Sequence, residues 1–570
     1  MDIDGAVGRR VPRGRVVVLV DNRVEGDSRV QKVARSAAAA GWDTTLLGRS
    51  PDERPHEWSL GDAQVRLLPM PEPLARRRHE FRRAWLHWPL AYPPTGIAPH
   101  RAQSVRAWQA DLRIRAAQLR VAARSGGAGP RLWLRRQLLG AQRLAAGVTR
   151  RWVSLRYWML TQRRRRQRLD HPWDRAYTWF WQAVLKERAW RRLEPGLWDY
   201  ELAYAETLDQ LAPDLIHAND FRMLGVGARA VIRARAAGRQ VKLVWDAHEF
   251  LPGVKPWREN LRWLPANRAH EREYAPYADA VVTVSAGLAE LLRQEHGLAE
   301  SPTVVLNAPI QAEVGAAGED VEAGGAAGAA GEDVGAVGAA GAAGADRAQG
   351  IRDLCGLDAD VPLLVYSGAA LPQRGLGLMV EALPLLPGVH VAFVVNKPDG
   401  GYLQRLRAHA SELGVADRVH VHPYVPHWRV VSFLASADVG VIPIAHYPNH
   451  EIALITKFFE YSHARLPIVV SDVKTMAETV RATGQGEVFR AGDAADFGRA
   501  VAAVLADRHR YTAAYDAPGL LDGWTWESQA EILDGVYRRL SPEAGDGTAP
   551  APTVDSGQSG VVAQVRAGAA

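Results

Sequence analysis

"RVVVLVDNRVEGDSRVQKVARSAAAAGWDTTLLG" (residues 15–48) predicts a strand, a helix and a second strand in succession. Its opening, "RVVVLVD", is a continuous β-branched run that is typical of a strand covered on both faces. Asp27 or Ser28 can cap the helix that follows, Gly41 can end it, and "DTTLLG" supplies the second strand. Because such a unit forms a right-handed crossover between parallel strands, the chain begins with an α/β domain.

The same alternation recurs along the chain. Apolar runs that end in polar residues occur at 213–220, 241–249, 278–285, 302–307, 361–368, 390–396, 418–425, 437–444 and 466–472. Between the fourth and fifth of these runs the sequence is almost wholly Gly, Ala, Val and acid, and lacks the large apolar side chains that offset ordering entropy. We therefore predict two doubly wound, Rossmann-like α/β domains that face each other across a cleft. The predicted divisions are a tail at 1–14, a first domain at 15–312, a flexible linker at 313–350, a second domain at 351–541 and a disordered tail at 542–570.

The net charge of +7 conceals a strong asymmetry along the chain. Residues 76–192 hold 28 Lys and Arg against 5 Asp and Glu, together with 10 of the 19 tryptophans. This composition predicts a basic, Trp-rich helical insertion at about 76–195 in the first domain. Such a segment can lie on an anionic membrane surface, or it can be an ordinary insertion with a solvated Arg face and buried Trp. Nucleic acid is the least favoured partner, and we expect none.

Several classes of protein are excluded by what the sequence lacks. The single cysteine, Cys355, allows neither an intramolecular disulfide nor a cysteine-based zinc site. No apolar run approaches the roughly 18 residues needed to span a bilayer, and the start has no signal-peptide pattern, so we expect a cytoplasmic protein, peripheral on the inner membrane face if the basic segment binds there. Neither first strand is followed by G-x-G-x-x-G, and the chain has no G-x-x-x-x-G-K-[ST], which argues against dinucleotide oxidoreductases and P-loop enzymes.

Polar residues at the strand ends are candidates for a ligand site. The carboxyl ends of parallel strands line the crevice of an open α/β sheet, so these residues are expected to face one cleft. They are His217, Asn219, Asp220, Asp246, His248, Glu249, Ser285 and Asn307. Asp246, His248 and Glu249 are spaced wrongly for metal ligands on one strand face, and we expect no metal site.

"NHEIALITKFFEYSHARLPIVVSD" (449–472) is a second candidate region. If a helix begins near Ala453, its free N–H groups form an anion site, and Glu460 can accept hydrogen bonds from ribose hydroxyls. Glu451 lies on the opposite helical face from Glu460, so it can serve the same ligand only from the loop ahead of the helix. Lys457 and Glu460 are three residues apart, which is also typical of a solvated surface pair.

"SGAALPQRG" (367–375) is a third candidate, a turn that contains Gly368 and ends near Arg374. A guanidinium at this position can hold a diphosphate through two parallel hydrogen bonds. Turns of this composition are also common on protein surfaces, so the turn alone does not decide between a site and a surface loop.

The ordered set of motifs resembles the retaining glycosyltransferases of family 4, which have the GT-B architecture of two Rossmann-like domains. The stretches that carry the resemblance are "DSRVQKVARSAAAAGWDTTLLG", "PDLIHAND", "VWDAHEF", "YADAVVTVS", "VVLNAP", "YSGAALPQRGL", "LGVADRVHVHPYVP", "ASADVGVIPI" and "KFFEYSHARLPIVVSD". They cover most of residues 15–60 and 200–540 and leave the basic segment and the linker unmatched.

This resemblance implies transfer of a sugar from a nucleotide-diphosphate donor to a polysaccharide or glycolipid acceptor, with retention and without a metal or other cofactor. It implies that Glu460 holds the ribose, Arg374 and the helix start hold the diphosphate, Lys457 adds a second phosphate contact, and main chain around Tyr424 meets the base. His248 is implied near the donor sugar as a catalytic residue, with the acceptor side formed by Asn22, Asp27, Asn219 and Asp220. The leaving phosphate then takes the acceptor proton, so no protein nucleophile is needed.

Two positions depart from the family pattern. The family's first glutamate corresponds to Ile452, and the nearest acid, Glu451, is one residue early, which makes it the substitute candidate for the catalytic role. The basic residue expected at the end of the first strand is missing, because that position reads Gly368. Two alternatives therefore stay open: a nucleotide-sugar epimerase of the same fold, and a catalytically inert GT-B module that serves as a membrane or assembly partner.

Overall fold

The computed structural model describes residues 13–52, 54–70, 90–92, 97–124, 129–167, 172–254, 260–310 and 349–541. The predicted tails and linker therefore lie almost entirely outside the described residues, and the basic segment lies partly outside them.

The first sheet has eight strands in the order β3-β4-β2-β1-β5-β6-β7-β8. All neighbours pair in parallel except β3 and β4, which are antiparallel at the sheet edge. Its strands are β1 (Arg15–Leu19), β2 (Asp43–Arg49), β3 (His56–Leu60), β4 (Ala63–Leu68), β5 (Leu215–Asn219), β6 (Lys242–Ala247), β7 (Ala280–Thr283) and β8 (Thr303–Val304).

The second sheet has six parallel strands in the order β11-β10-β9-β12-β13-β14. They are β9 (Leu363–Ser367), β10 (His390–Val395), β11 (Val419–Pro423), β12 (Val439–Ile442), β13 (Ile468–Ser471) and β14 (Gly486–Phe489). The predicted fold class, two parallel-dominant α/β sheets, is thereby confirmed.

Helices cover the two sheets. In the first half of the chain they are α1 (Ser28–Ala39), α2 (Ile97–Arg124), α3 (Pro130–Gln167), α4 (Pro172–Leu185), α5 (Trp190–Leu193), α6 (Leu197–Leu211), α7 (Asp220–Ala236), α8 (Trp263–Tyr274) and α9 (Ala286–His296). In the second half they are α10 (Ile351–Cys355), α11 (Leu376–Glu381), α12 (Gly401–Glu412), α13 (Val430–Leu434), α14 (Pro448–Glu451), α15 (Thr456–His463), α16 (Lys474–Thr483), α17 (Ala494–Ala506), α18 (Arg508–Ala513) and α19 (Trp526–Leu540).

The opening strand and helix form as their residues predict. Val16 to Leu19 are fully buried, because β1 is central in its sheet and is covered on both faces. Asp27 is the N-cap of α1 and accepts a hydrogen bond from the N–H of Val30, while Gly41 just beyond the helix has a φ of +93°. The loop between β1 and α1 is therefore held at the carboxyl edge of the sheet.

The last helix, α19, returns to the first sheet. Its buried residues Trp526, Leu533, Val536 and Tyr537 pack in the same core as β1 and α1. The predicted range 351–541 places this helix with the second sheet, whereas its contacts are with the first. The chain therefore crosses between the two halves twice, and α19 fastens the second half onto the first.

The basic segment contains a hairpin of two long helices, α2 and α3. Residues 139, 146, 153 and 160 of α3 and residues 98, 105 and 112 of α2 are buried, a spacing of seven in each helix. Seven-residue spacing of buried positions is typical of helices that wind around each other. Among the helices within the described ranges, none is both long and apolar enough to cross a membrane.

Candidate active site at the cleft between the two sheets

Two adjoining cavities of about 370 and 560 Å³ lie between the sheets and share Thr456 and Lys457. The smaller is lined by Asp27, Arg29, His248, Val284, Asn307, Ala369, Arg374, Ala453, Leu454, Ile455, Thr456 and Lys457. The lining of the larger includes Gly26, Ser28, Gln31, Ser367, Gly368, Tyr424, Trp428, Thr456, Lys457 and Glu460. Both cavities therefore combine loops at the carboxyl ends of β1 and β9 with the start of α15.

His248 reaches the smaller cavity from the end of β6, above a buried carboxylate. Asp246 is fully buried and receives two hydrogen bonds of 2.9 Å from Nε and Nη2 of Arg29. Nε2 of His248 lies 3.2 Å from Oδ2 of Asp246, and Nδ1 of His248 lies 3.5 Å from Oδ1 of Asp220. The imidazole is thus held between two carboxylates at the cavity wall.

These charges shift the pKa values of the cluster. Burial lowers the pKa of His248, but the negative charges of Asp246 and Asp220 outweigh it and raise that pKa to about 9. Burial likewise raises the pKa of Asp246, but the charges of Arg29 and His248 hold it well below its ordinary value. Burial raises the pKa of Asp220 to about 6, although His248 opposes this shift. At neutral pH His248 is therefore cationic and Asp246 anionic.

The acceptor-side residues behave differently from one another. Nδ2 of Asn22 donates a 2.7 Å hydrogen bond to Asp27, so both side chains shape the loop after β1, and Asp27 lines the smaller cavity. Asp220 adjoins His248. Asn219 is only 1% exposed and donates to the carbonyl of Leu19, so its prediction as a cleft residue is wrong.

Other predicted cleft residues are also placed by the structure. His217 is fully buried beneath the cleft, and Ser285 donates a hydrogen bond to the carbonyl of Ile452 in the second half. Glu249 is exposed and lines neither cavity. Asn307 lines the smaller cavity and donates a 3.0 Å hydrogen bond to the hydroxyl of Thr456.

On the second sheet, the helix of the 449–472 stretch begins at Thr456, three residues later than predicted. Ala453 to Ile455 form an extended approach that lines the smaller cavity. Thr456 and Lys457 are the first two residues of α15, so its N-terminal N–H groups adjoin both cavities.

Lys457 is only 8% exposed, so the interpretation of Lys457 and Glu460 as a solvated pair is wrong. Its Nζ lies 4.1 Å from the centroid of the Tyr366 ring. Burial and the nearby charge of Arg374 lower the pKa of Lys457 to about 7, although Glu460 opposes the shift. A Cβ at Gly368 would lie 2.5 Å from this Nζ. Lys457 thus occupies space above the strand end that the absent side chain of Gly368 leaves open.

Arg374 lines the smaller cavity, while Tyr424 and Glu460 line the larger one. Tyr424 is 46% exposed, and burial and the charge of Glu460 raise its pKa to about 12. Trp428 also lines the larger cavity and is 55% exposed. The predicted donor-binding residues are therefore brought to one cleft, with cations toward one cavity and a carboxylate with aromatic rings in the other.

Glu451 is not part of either cavity. Its Oε1 lies 2.6 Å from Nδ1 of His446, and its Oε2 accepts a 2.8 Å hydrogen bond from the N–H of Lys474, the first residue of α16. The carboxylate is thus turned away from the cleft, and its prediction as a catalytic residue is not supported by its position. Ile452 packs beside Gly287 of α9.

Sequence reasoning missed Arg29 and Trp428. Arg29 lies in the first turn of α1, and only the fold reveals that its guanidinium reaches Asp246 on β6. Trp428 comes shortly after Tyr424, just beyond the end of β11. An aromatic residue near a strand end was the feature of the sequence that could have identified it. Across the described part of the chain, no three histidine, cysteine, aspartate or glutamate side chains are grouped so that they could hold a metal ion.

Two protein-family models match the chain, one in each half. The family model described as glycosyltransferase family 4 matches residues 140–314, and the one described as glycosyl transferases group 1 matches residues 351–517. Together the matches cover more than half of the chain, in order, one on each sheet. The chain belongs to the group 1, family 4 glycosyltransferases. The family match also begins inside the basic segment, which the motifs alone had left unmatched.

Two relatives of this glycosyltransferase family member illustrate the likeness. It is 30% identical to the D-inositol 3-phosphate glycosyltransferase of Xylanimonas cellulosilytica over 34% of this chain and 45% of the relative. It is also 30% identical to the GDP-mannose-dependent alpha-(1-6)-phosphatidylinositol monomannoside mannosyltransferase of Mycolicibacterium smegmatis over 33% of this chain and 52% of the relative. The chain spans about half the length of these curated relatives.

Among solved structures, the sucrose-phosphate synthase of Thermosynechococcus elongatus superposes with a TM-score of 0.54 at 15% identity. The match covers 92% of this chain and 99% of that one. It extends over both sheets, so the glycosyltransferase family member has the GT-B fold.

Proposed function

We propose that this protein transfers a sugar from a nucleotide-diphosphate donor to a saccharide or lipid-linked acceptor. The observation that carries the proposal is the convergence of Lys457, Arg374 and the start of α15 on one cavity, beside a second cavity that holds Glu460 and two aromatic rings. The cations match the diphosphate of a nucleotide, the carboxylate can accept hydrogen bonds from the ribose hydroxyls, and the aromatic rings match the base. The names of the relatives, an inositol phosphate glycosyltransferase and a phosphatidylinositol mannoside mannosyltransferase, support this ligand class.

In this proposal the donor lies on the second sheet. The diphosphate contacts Arg374, Lys457 and the N-terminal N–H groups of α15, and Glu460 accepts hydrogen bonds from the ribose. Tyr424 and Trp428 flank the base. The sugar then projects across the cleft toward His248 and Asp27, where the acceptor enters.

The chemistry we propose is retention without a metal. The positive charges of Arg374 and Lys457 stabilise the departing diphosphate, a task that a divalent cation performs in other enzymes. The leaving phosphate accepts the acceptor proton, so the protein contributes orientation and charge rather than a nucleophile. Negative charge develops on the departing diphosphate rather than on the sugar, so in this proposal His248 contacts and orients the donor sugar from the cavity wall, and no cofactor is required.

The test is a melting panel of UDP, GDP, ADP and dTDP sugars with the wild type, Glu460→Ala and Arg374→Ala. A ligand at about 100 times its Kd adds about 2.7 kcal/mol to the free energy of unfolding, which shifts melting visibly. We expect one nucleotide to stabilise the wild type and both variants to lose the shift. Glu412→Ala, whose side chain is 76% exposed, is the matched control and should keep it.

Negative outcomes of this panel also decide between the alternatives. If no nucleotide sugar shifts melting, the inert-module interpretation replaces the proposal. If a donor binds but is converted to an epimer in the absence of any acceptor, the epimerase interpretation replaces it.

We further propose that the hairpin of α2 and α3 docks on an anionic membrane surface. Eight exposed apolar residues of α3 fall on one helical face about 160° wide, opposite the buried seven-residue stripe, whereas exposed Tyr157 lies on the side of the stripe. The eight are Trp133, Leu134, Leu138, Leu144, Val148, Trp152, Leu155 and Trp158. Exposed arginines flank this face, including Arg131, Arg136 and Arg143, while Arg151 lies within it. Apolar residues that enter the headgroup region and arginines that pair with lipid phosphates are typical of interfacial helices.

Vesicle sedimentation tests this surface. We expect the wild type to sediment with phosphatidylserine-containing vesicles but not with phosphatidylcholine vesicles, since each Lys or Arg near an anionic surface adds about 1 kcal/mol. The triple variant Leu144→Ser, Val148→Ser, Trp152→Ser should lose binding, and Leu385→Ser, an exposed apolar residue of the second half, should retain it. A wild type that stays in the supernatant with anionic vesicles would contradict the proposal.

A further inference from the structure

A buried row of polar side chains connects the last helix to the cleft. Oη of Tyr537 on α19 lies 2.9 Å from Nδ1 of His217, and Nε2 of His217 lies 3.3 Å from Oδ2 of Asp246. The same carboxylate oxygen lies 3.2 Å from Nε2 of His248. Tyr537 is 1% exposed and His217 and Asp246 are fully buried, whereas the side chain of His248 is 21% exposed and lines the cavity. The row therefore runs from the interior to the cavity wall.

The direction of the hydrogen bonds follows from the groups involved. Burial raises the pKa of Tyr537 well above its ordinary value, so its hydroxyl stays protonated and can donate to Nδ1 of His217. With Nδ1 of His217 accepting this hydrogen bond, the ring proton resides on Nε2, from which it is donated to Asp246. Arg29 donates to the same carboxylate from its other side. Asp246 is thus held in place from two directions before it meets His248.

The surroundings of this row are apolar. The Trp42 ring contacts Tyr537 edge-on at 6.0 Å between centroids, and Leu533 and Val536 belong to the same core. Buried polar groups in such surroundings cost free energy unless each has its partner, so the row has one strongly favoured arrangement. A phenylalanine at 537 would fill the same space without fixing His217.

We infer that Tyr537 and His217 are positioning residues that hold the Asp246 carboxylate and, through it, the orientation and charge of His248 at the cavity wall. The effect of Tyr537 and His217 on His248 follows from the contacts along the row, and only its consequence for sugar transfer rests on the proposed function. The element that supplies Tyr537 is also tied to the donor side, because the Trp524 ring just before α19 contacts Phe458 and Phe459 of α15.

The charged groups that face His248 come from several elements. Asp246 on β6, Asp220 at the start of α7 and Arg29 on α1 act on His248 directly. Asp21 and Glu249 act on Asp220, and Arg374 and Lys457 line the same cavity as His248. The variants that test the inference change none of these groups. A shift in the titration of His248 therefore reports on the carboxylate that the row holds.

Histidine-selective NMR of the full chain provides the test, with the His248 signal assigned as the one missing in His248→Gln. Without the hydrogen bond from His217, Asp246 attracts the His248 proton more strongly, so His217→Leu should raise the pKa of His248 by about 0.5 or more. Tyr537→Phe should shift it in the same direction. His217→Gln, whose amide can still donate to Asp246, should restore the wild-type value.

Tyr515→Phe is the matched control, because it removes a buried tyrosine hydrogen bond, to the carbonyl of Leu466, that lies in the second half of the chain and involves neither His217 nor Asp246. It should leave the titration of His248 unchanged. The inference is overturned if His217→Leu also leaves it unchanged, or if His217→Gln shifts it as much as His217→Leu does. If His217→Leu does not fold, Tyr537→Phe decides the question alone, since it keeps the ring that packs on Trp42.

Kinetics separate the inference from the proposed function. With a donor found in the melting panel, His217→Leu and Tyr537→Phe should lower kcat roughly tenfold while the donor KM changes little, and His217→Gln should recover most of the loss. An equal rise in KM with kcat unchanged would overturn the positioning role. A chain that transfers no sugar from any donor refutes the proposed function, while the titration of His248 still decides the inference.

Discussion

At the residue scale, we expect Lys457 to make donor binding depend on pH. Its pKa is about 7, since burial and Arg374 favour the neutral amine. A bound diphosphate favours the ammonium and raises that pKa, so binding takes up a proton above pH 7. We expect donor affinity to be highest below pH 7 and to weaken by up to about tenfold for each pH unit above it.

Calorimetry in buffers of different ionisation enthalpy measures this proton uptake. The nucleotide sugar is a suitable probe because its diphosphate has no titration near pH 7. Lys457→Met should bind the donor more weakly and without uptake, and Lys474→Met, an exposed lysine of α16, is the control. Affinity of the wild type that is equal at pH 6 and pH 8.5 would show that Lys457 does not contact the diphosphate.

Gly368 is a residue where a methyl group has two consequences. Its φ of +148° favours glycine, and a Cβ would lie 2.5 Å from Nζ of Lys457. We expect Gly368→Ala to lower the free energy of unfolding by about 1–3 kcal/mol and to weaken donor binding, because Lys457 must move. Gly484→Ala also places alanine at positive φ, +72°, but in open space, so it should lower stability by about 1–2 kcal/mol and spare binding. Equal donor affinity in the two variants, measured by titration calorimetry, would contradict this account.

At the scale of the element, Glu451 acts on a helix rather than on the substrate. Its carboxylate accepts a hydrogen bond from the first N–H of α16, where negative charge is favoured. Glu451→Ala should cost about 1 kcal/mol in chemical denaturation and should leave donor binding and kcat close to wild type. Glu478→Ala, on the exposed face of the same helix, is the control and should be neutral. A large fall in kcat in Glu451→Ala without a loss of stability would show that Glu451 is a catalytic residue.

Element positions were predictable where they depend on local sequence. The β-branched runs, the Asp27 cap and the ordered strand ends located both sheets. The family resemblance, rather than local spacing, implied one site for Arg374, Lys457 and Glu460, and these residues line the two adjoining cavities. The start of α15 was misplaced because apolar Ile452 is used in a contact between the halves. Ser285 donates a hydrogen bond to the carbonyl of Ile452, so this carbonyl does not accept the first backbone hydrogen bond of a helix. Nothing local in the sequence indicates such a partner.

The same limit applies to His217 and Asn219. Polar residues at strand ends were expected to face the cleft, but the choice between cleft and interior is made by distant elements. Tyr537, the partner of His217, is 320 residues away in the sequence. The carbonyl of Leu19 that accepts from Asn219 lies on the neighbouring strand, 200 residues earlier. Burial of these two side chains therefore follows from tertiary contacts that periodicity does not encode.

At the scale of the whole molecule, two kinds of contact join the halves. Direct contacts run from α14 and the loop between α14 and α15 to the first half, including the hydrogen bond from the Phe250 N–H to Asn449 in α14. The second connection is the chain around Trp524. Its ring packs on Phe458 and Phe459, its carbonyl lies 2.8 Å from Nε2 of His463, and α19 follows at once onto the first sheet. α15 and His248 are thereby linked through one segment.

If that segment couples the halves, Trp524→Ala should separate their unfolding. Truncation of a packed tryptophan costs about 3–5 kcal/mol, and here much of the loss falls on the contact between α15 and α19. We expect scanning calorimetry to show two transitions in place of one, with the sheets melting separately. Phe497→Ala, in the core of the second sheet and away from this contact, should lower the melting temperature and keep a single transition. A single, lowered transition in Trp524→Ala would instead assign the coupling to the direct contacts at Asn449 and Ile452, since these remain when the tryptophan is removed.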